Sequence, residues 1–174
     1  RAPCFVVCIG GYLDRFDILY KEDNTIKDSK EVRSYLQSKK KKLFSYEIFE
    51  NLDLSKGNYE ELEFQFSSFV GCNFTQSSWN KSHLLFSNLQ NTMLKNTKME
   101  KMKIFDTDFS GATLEQVDFA GAKIKHVSFA GAKLIQVDFS KVLLAEEINF
   151  QDAQIVDCKF PEEVGSGLLY HENR

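Results

Sequence analysis

Histidine, cysteine and serine are the side chains here that could shuttle protons, hold a metal or attack a carbonyl. The three histidines are His83, His126 and His171. A general base needs a partner within hydrogen-bond reach, and a zinc site needs several ligands around one point. The four cysteines, Cys4, Cys8, Cys72 and Cys158, show no CxxC spacing and have no histidine pair nearby, so zinc is not predicted. Cys4 and Cys8 fall on the same face of an extended segment, where four residues apart they would not easily bridge. All four cysteines are read as reduced and mostly buried small residues. No GxSxG, Walker loop, HExxH or GxGxxG is present, which removes the common hydrolase, nucleotide and metalloprotease signatures. The expectation is a non-catalytic chain with no catalytic residues, no metal ligands and no cofactor.

Composition narrows the partners. Of 174 residues 43% are hydrophobic and 27% charged, with 16 Phe, 6 Tyr, one Trp and only 2 Pro. A formal net charge of −3 suits neither a nucleic-acid binder nor a strongly acidic mimic. No apolar run approaches the roughly 18 residues of a membrane span. The opening stretch Cys4 to Ile9 is too short, and it lacks a basic region and a cleavage site. With no initiator Met, and Arg at both ends, the chain is expected to be a piece of something longer.

The elements that position these residues follow from one period. From Phe44 to Leu144 every fifth residue is apolar or aromatic, an unbroken series of 21. After one extra residue it resumes at Phe150, Ile155 and Phe160. Two residues before each centre stands a small or compact residue, as in Cys72, Ser77, Ser82, Ser87, Thr92, Ala112, Ala122 and Ala132, with Met102 the large exception. A period of five suits neither a helix nor a plain strand. It suits a chain that turns a corner every five residues, pointing one large and one small side chain inward each time.

Val117-Asp118-Phe119-Ala120-Gly121, Val137-Asp138-Phe139 and Cys72-Asn73-Phe74 resemble the pentapeptide-repeat family, clearly over residues 62–160 and more faintly over 44–61. The resemblance implies an all-β solenoid, a right-handed quadrilateral pentapeptide β-helix with 20 residues per coil. The chain departs from the family pattern where Lys98, Lys103, Lys123 and Lys133 replace the Asp or Asn before the centre, which puts the corner chemistry there in question. At a period of 20 the centres fall on four faces. Face one holds Phe64, Leu84, Ile104, Ile124 and Leu144, and face two holds Phe69, Leu89, Phe109, Phe129 and Phe150. Face three holds Phe74, Leu94, Leu114, Leu134 and Ile155, and face four holds Trp79, Met99, Phe119, Phe139 and Phe160. The extra residue is expected as a corner bulge at Ala145 to Glu147. Five coils would make the rod, with neighbour-to-neighbour stability and a need for caps at both ends.

Residues 1–43 break the period and read as a small N-terminal α/β cap. Strands are expected at Phe5 to Ile9 and Phe16 to Lys21. A helix is expected from Asp28-Ser29, with Glu31 placed for a capping box and Val32, Tyr35 and Leu36 on its apolar stripe. Lys39 to Lys42 is either a solvated helix end or a contact for an anionic partner. Residues 44–160 form the β-helix, and 161–174 read as a C-terminal cap or linker around Gly165-Ser166-Gly167.

On this rod Ser77, Ser82, Ser87 and Cys72 point inward as space-fillers. His83 and His126 share face one two coils apart, beyond joint reach. The outward positions of face one expose Phe66, Leu85, Phe86 and Phe105, with Leu143 further along. That stripe is either covered by the N-terminal appendage or is a partner-binding patch with aromatic anchors. A leader followed by Phe-rich coils also resembles the secreted pentapeptide effectors of bacterial pathogens, including β-helix domains that precede HECT-like ubiquitin ligase lobes and select substrates. This implies a protein partner, a host protein being one candidate, and secretion into the host cell cytoplasm, or otherwise a cytoplasmic location. No nucleic acid is expected as partner, and the oligomeric state is left open. The alternative, a role known in the pentapeptide family, is a DNA-mimicking inhibitor of a type II topoisomerase. That role needs a strongly negative rod, whereas residues 62–160 carry 10 Lys against 11 Asp and Glu.

Overall fold

The computed structural model describes residues 28–161. The expected strands at Phe5 to Ile9 and Phe16 to Lys21, together with Cys4, Cys8, His171 and the C-terminal segment, lie outside them.

The five-residue corner has a simple backbone origin. Two residues after each centre the chain enters the left-handed region, as at Tyr46 (φ 58°), Lys56 (φ 57°), Lys101 (φ 57°) and His126 (φ 51°). One such residue redirects an extended segment without a loop. It costs an L-residue up to about 1–2 kcal/mol, so the coils must offset it. Gly71 and Gly111 take such corners with φ of 71° and 69°. A Cβ there would lie 2.1 and 2.3 Å from the Asn51 and Asn91 side-chain oxygens of the coil below.

Turning the chain this way leaves most backbone groups to pair between coils, beside turn bonds within a coil such as the Cys72 N–H to Phe69 O (3.0 Å). The Phe109 N–H donates to Ser128 O (2.7 Å) on the next coil, and the Asp108 N–H to Ser87 O (3.1 Å) on the previous one. Parallel ladders result. One sheet runs β1 (Leu43–Ser45), β2 (Glu63–Gln65), β3 (His83–Leu85), β5 (Lys103–Asp108), β7 (Lys123–Ser128) and β9 (Leu144–Asn149). The other comprises β4 (Met93–Lys95), β6 (Thr113–Glu115), β8 (Lys133–Ile135) and β10 (Gln154–Val156). Ile104 pairs with Leu84 and Ile124, and Leu114 with Leu94 and Leu134. This is the stacking that a period of 20 predicts.

The shaft is filled by ring stacks. Phe109 and Phe129 stack at 5.3 Å, Phe129 and Phe150 at 5.6 Å, Phe119 and Phe139 at 5.0 Å, and Phe139 and Phe160 at 5.5 Å. The small position is polar where a hydroxyl can bond locally. Ser77 donates to Phe74 O (2.6 Å), Ser82 to Trp79 O (2.5 Å) and Thr92 to Leu89 O (2.8 Å). Where Asp or Asn precedes the centre it closes the corner, Asp108 accepting from the Ser110 N–H and Asp118 from the Ala120 N–H, both at 2.8 Å. Burial pushes the Asp138 carboxyl up, but two hydrogen bonds from Ser140, with Lys159 and Lys141 nearby, hold it below the ordinary value. Lys103 and Lys123 lack this bond, and their ladder keeps its register without it.

Three expectations are corrected. The rod has six coils, not five, since the six-stranded sheet begins with β1. Phe44, Phe49, Leu54 and Tyr59 are all buried, although large or charged residues such as Lys42, Glu47 and Leu52 stand before them. The extra residue sits earlier than Ala145 to Glu147. Lys123 pairs with Leu144 and Ile124 with Ala145, and Lys141 is absent from the left-handed corners. Ala145 therefore replaces Leu144 as the face-one centre, and Leu143 is 71% exposed. Third, the capping box is half formed: Asp28 accepts from the Lys30 N–H (2.9 Å), but no bond returns from Glu31 among the described residues.

The helix, α1 (Ser29–Gln37), caps the first coil. Val32 and Leu36 are buried, and Tyr35 sets its ring edge on Phe44 at 5.3 Å. Backbone N–H groups that elsewhere donate to a preceding coil find side-chain oxygens of the helix. Asp53 N–H donates to Ser29 Oγ (2.9 Å) and Asn58 N–H to Gln37 Oε1 (2.7 Å). The edge is closed by a surrogate for the missing coil.

Candidate partner-binding face

Each three-residue strand buries its central residue and turns its neighbours outward, except β10 at the last coil, where Ile155, expected inside face three, is exposed because no further coil covers it. Face one thus presents columns of side chains one coil apart. The column after the centre runs Ser45, Gln65, Leu85, Phe105 and Lys125, with Leu85 in register with Phe105. Beside it, at the left-handed corner, runs Tyr46, Phe66, Phe86, Asp106, His126 and Glu147. Tyr46 and Phe66 stack at 5.3 Å with planes 9° apart, and Phe66 and Phe86 at 5.1 Å and 8°. Phe66, Leu85, Phe86 and Phe105, singled out from the sequence, are thus brought together as a half-buried strip. Tyr46, 49% exposed, extends it. The signal for Tyr46 was present, since it stands 20 residues before Phe66.

Beyond Phe86 the corner column becomes charged. His126 lies between two carboxylates, with Nδ1 3.2 Å from Asp106 Oδ1 and Nε2 2.6 Å from Glu147 Oε2. The bulge displaces Glu147 from the 20-residue spacing and hides this trio in the sequence. Lys125 pairs with Glu146 at 3.3 Å, and His83 faces Glu63 at 3.7 Å. His83 and His126 stand in different columns and address different groups. Asp106 and Glu147 hold opposite nitrogens of one ring, a structural clasp with no open position for a substrate atom.

Among the described residues, the Cys72 thiol is inward and occupied. Burial pushes the Cys72 thiol up to about 12, and it donates to Phe49 O. Such a thiol is no nucleophile near neutral pH. Lys41 pairs with Glu47 (3.9 Å) and Lys42 with Glu61 (3.5 Å), so half of the lysine run is tied to the first coils. Among the described residues no helix is long and apolar enough to cross a membrane.

A family profile described as a pentapeptide repeat region matches residues 73–150, the stretch in which both the five-residue corner and the 20-residue ladder are on view. This region belongs to the pentapeptide-repeat family. No curated protein sequence matches the chain. Among solved structures, a trypsin-treated variant of QnrB1, a plasmid-mediated fluoroquinolone resistance protein, aligns with a TM-score of 0.59 at 19% identity. The alignment covers 68% of this chain and 60% of that one, so the chain spans well under two thirds of that protein. The pentapeptide repeat protein Rfr23 from the cyanobacterium Cyanothece 51142 aligns with a TM-score of 0.40 at 12% identity, over 68% of this chain and 87% of its own. At such identities the pentapeptide-repeat fold is what is shared.

Proposed function

We propose that this chain is a non-catalytic protein-interaction module that offers face one of its β-helix to a protein partner. One observation carries the reading: a rigid ladder holds Leu85, Phe86 and Phe105 side by side on the outer surface of the sheet. Scattered outward apolar residues are ordinary, but a contiguous strip on adjacent coils is the pattern of an interface core. Aromatic anchors fixed by a scaffold lose little side-chain entropy on binding.

The test substitutes Phe86→Glu and Phe105→Glu together and follows both partner capture and denaturant stability. Capture is expected to be lost, with a stability loss of no more than about 1.5 kcal/mol, the upper cost of giving up one aromatic stack. Unchanged capture would eliminate the strip as the site. A loss of more than about 2 kcal/mol would instead assign the strip to contacts within the chain's own fold.

Within this reading, the chain acts as the substrate- or partner-recruiting arm of a bacterial secreted effector of the ubiquitin-ligase type, working in the host cell cytoplasm. The leader ahead of Phe-rich coils supports that placement. A reading frame that continues into a catalytic lobe is the expected finding, and a stop codon directly after Arg174 removes this part. The reading as a DNA-mimicking topoisomerase inhibitor ranks second. The fold it shares with a fluoroquinolone resistance protein is compatible with it, but the lysines along the rod oppose the charge it requires.

A further inference from the structure

We propose that the partner of face one presents an acidic polypeptide segment, with its carboxylates laid against a lysine ridge beside the apolar strip; this rests on the face-one reading above. The ridge is made by stacking. Lys81 and Lys101 take successive left-handed corners between faces four and one (φ 62° and 57°), and beyond Gly121 Lys141 stands one place off this column at the bulge, where the Gly121 N–H donates to Lys141 O (2.8 Å). Gly121 leaves room for the Lys101 stem, whose Cγ lies 3.0 Å from where a Cβ would be. Next to them, before the face-one centres, Lys103 and Lys123 are register partners. All five are exposed.

None of the five has a carboxylate within ion-pair distance among the described residues, whereas Lys41, Lys42, Lys95 and Lys125 each have one. Like charges directly opposite on neighbouring strands destabilise a sheet, and coils are only about 4.8 Å apart. The ridge is therefore a cost to folding that an anionic partner would relieve. Its acidic neighbours lie at the margins: Glu61 and Glu63 below, Glu100 beside Lys101, and Asp138 near Lys141.

The strip across β3 and β5 decides which anion fits. On one strand His83 and Leu85 flank Leu84, and on the next Lys103 and Phe105 flank Ile104. Basic and apolar columns thus run side by side, matching a segment that mixes carboxylates with apolar side chains. Single-stranded nucleic acid needs open ring faces for its bases, but Phe66 and Phe86 lie flat against one another, and Tyr46 covers the other face of Phe66. Asp106, Glu146 and Glu147 on the same face confine an anionic stretch to the length of the ridge, which a short acidic segment meets and a continuous phosphate chain or an anionic lipid surface exceeds.

The experiment uses the full chain and fluorescence anisotropy at 50 and 300 mM salt, with three labelled probes: a Glu/Tyr copolymer, poly-glutamate and oligo(dT). The copolymer is expected to bind tightest, to weaken at least tenfold at the higher salt, and to weaken at least tenfold in Lys103→Glu/Lys123→Glu. The corresponding Gln pair should lose an intermediate amount, which separates charge from folding. Absence of copolymer binding, indifference to both lysine pairs, or tighter binding of oligo(dT) would each overturn the proposal. If Phe86→Glu/Phe105→Glu abolishes capture of the physiological partner while the lysine pairs leave it intact, the acidic-partner inference fails and the face-one reading stands. If neither pair affects capture, both fail.

Discussion

Replacing Phe129 by Ala is expected to cost about 3–5 kcal/mol of stability, the range for deleting a large buried aromatic side chain. Phe129 has no solvent exposure. Its ring touches Phe109 at 5.3 Å, Phe150 at 5.6 Å and Phe139 at 5.8 Å, and each aromatic pair adds roughly 0.5–1.5 kcal/mol beyond burial. The coils above and below are held apart by parallel ladders, so they cannot close over the gap, and uncollapsed cavities carry the higher costs. Urea denaturation of Phe129→Ala beside Ile135→Ala, an outward position on β8, provides the comparison. The surface change should stay within about 0.5 kcal/mol. A loss below about 1 kcal/mol at Phe129 would mean that the shaft is loosely packed.

The second large effect concerns register. Deleting Gln116, a left-handed corner residue (φ 53°), should disrupt the ladder from that corner to the extra residue near Leu144, which restores the spacing beyond it. Each residue between would move one place, carrying Asp118 into the inward small position and Phe119 out to solvent. A buried, unpaired carboxylate alone costs several kcal/mol, and the error repeats at each centre of that stretch. Deleting Leu144 should be tolerated instead. It removes the one residue in excess of the 20-residue spacing and lets Leu143 take the place opposite Lys123 directly. Circular dichroism and thermal unfolding would separate the two: a large loss of strand signal and of the cooperative transition for the first, a near-native transition for the second. Equal damage from both would show that the bulge is not where the ladder puts it.

Much of this was legible because the period is rigid. Once the centre at Phe64 was assigned, Leu84, Ile104 and Ile124 had to stack above it, and they do. The same arithmetic put Phe66, Leu85, Phe86 and Phe105 on adjacent coils. What stayed hidden has physical reasons. The first coil is faint because Lys42, Glu47 and Leu52 stand where small residues usually fit, and α1 covers that end with Val32 and Leu36. The bulge was misplaced because Leu144 is apolar and fits the five-residue series, although Ala145 fills the shaft. That shift also disguised the alignment of Glu147 with His126. The lysine ridge looks like scattered charge along the chain, and only coil-to-coil stacking gathers Lys101, Lys103 and Lys123. The surrogate acceptors Ser29 Oγ and Gln37 Oε1 depend on how the helix docks, which no local pattern encodes.

The proposed use of face one as the contact surface is tested most directly by site-specific photocrosslinking. A benzophenone side chain at position 105, between the ridge and the strip, is compared with one at position 115 on face three. The two faces are opposite, since Phe64 on face one and Phe74 on face three each touch Phe69 and Trp79. In extract from the source cells, position 105 should form one discrete adduct. Its crosslinked peptide should be rich in Asp and Glu, and the adduct should disappear in Lys103→Glu/Lys123→Glu. Position 115 should form none. An equal adduct from position 115, or none from position 105 under conditions where the full chain captures its partner, would contradict the account.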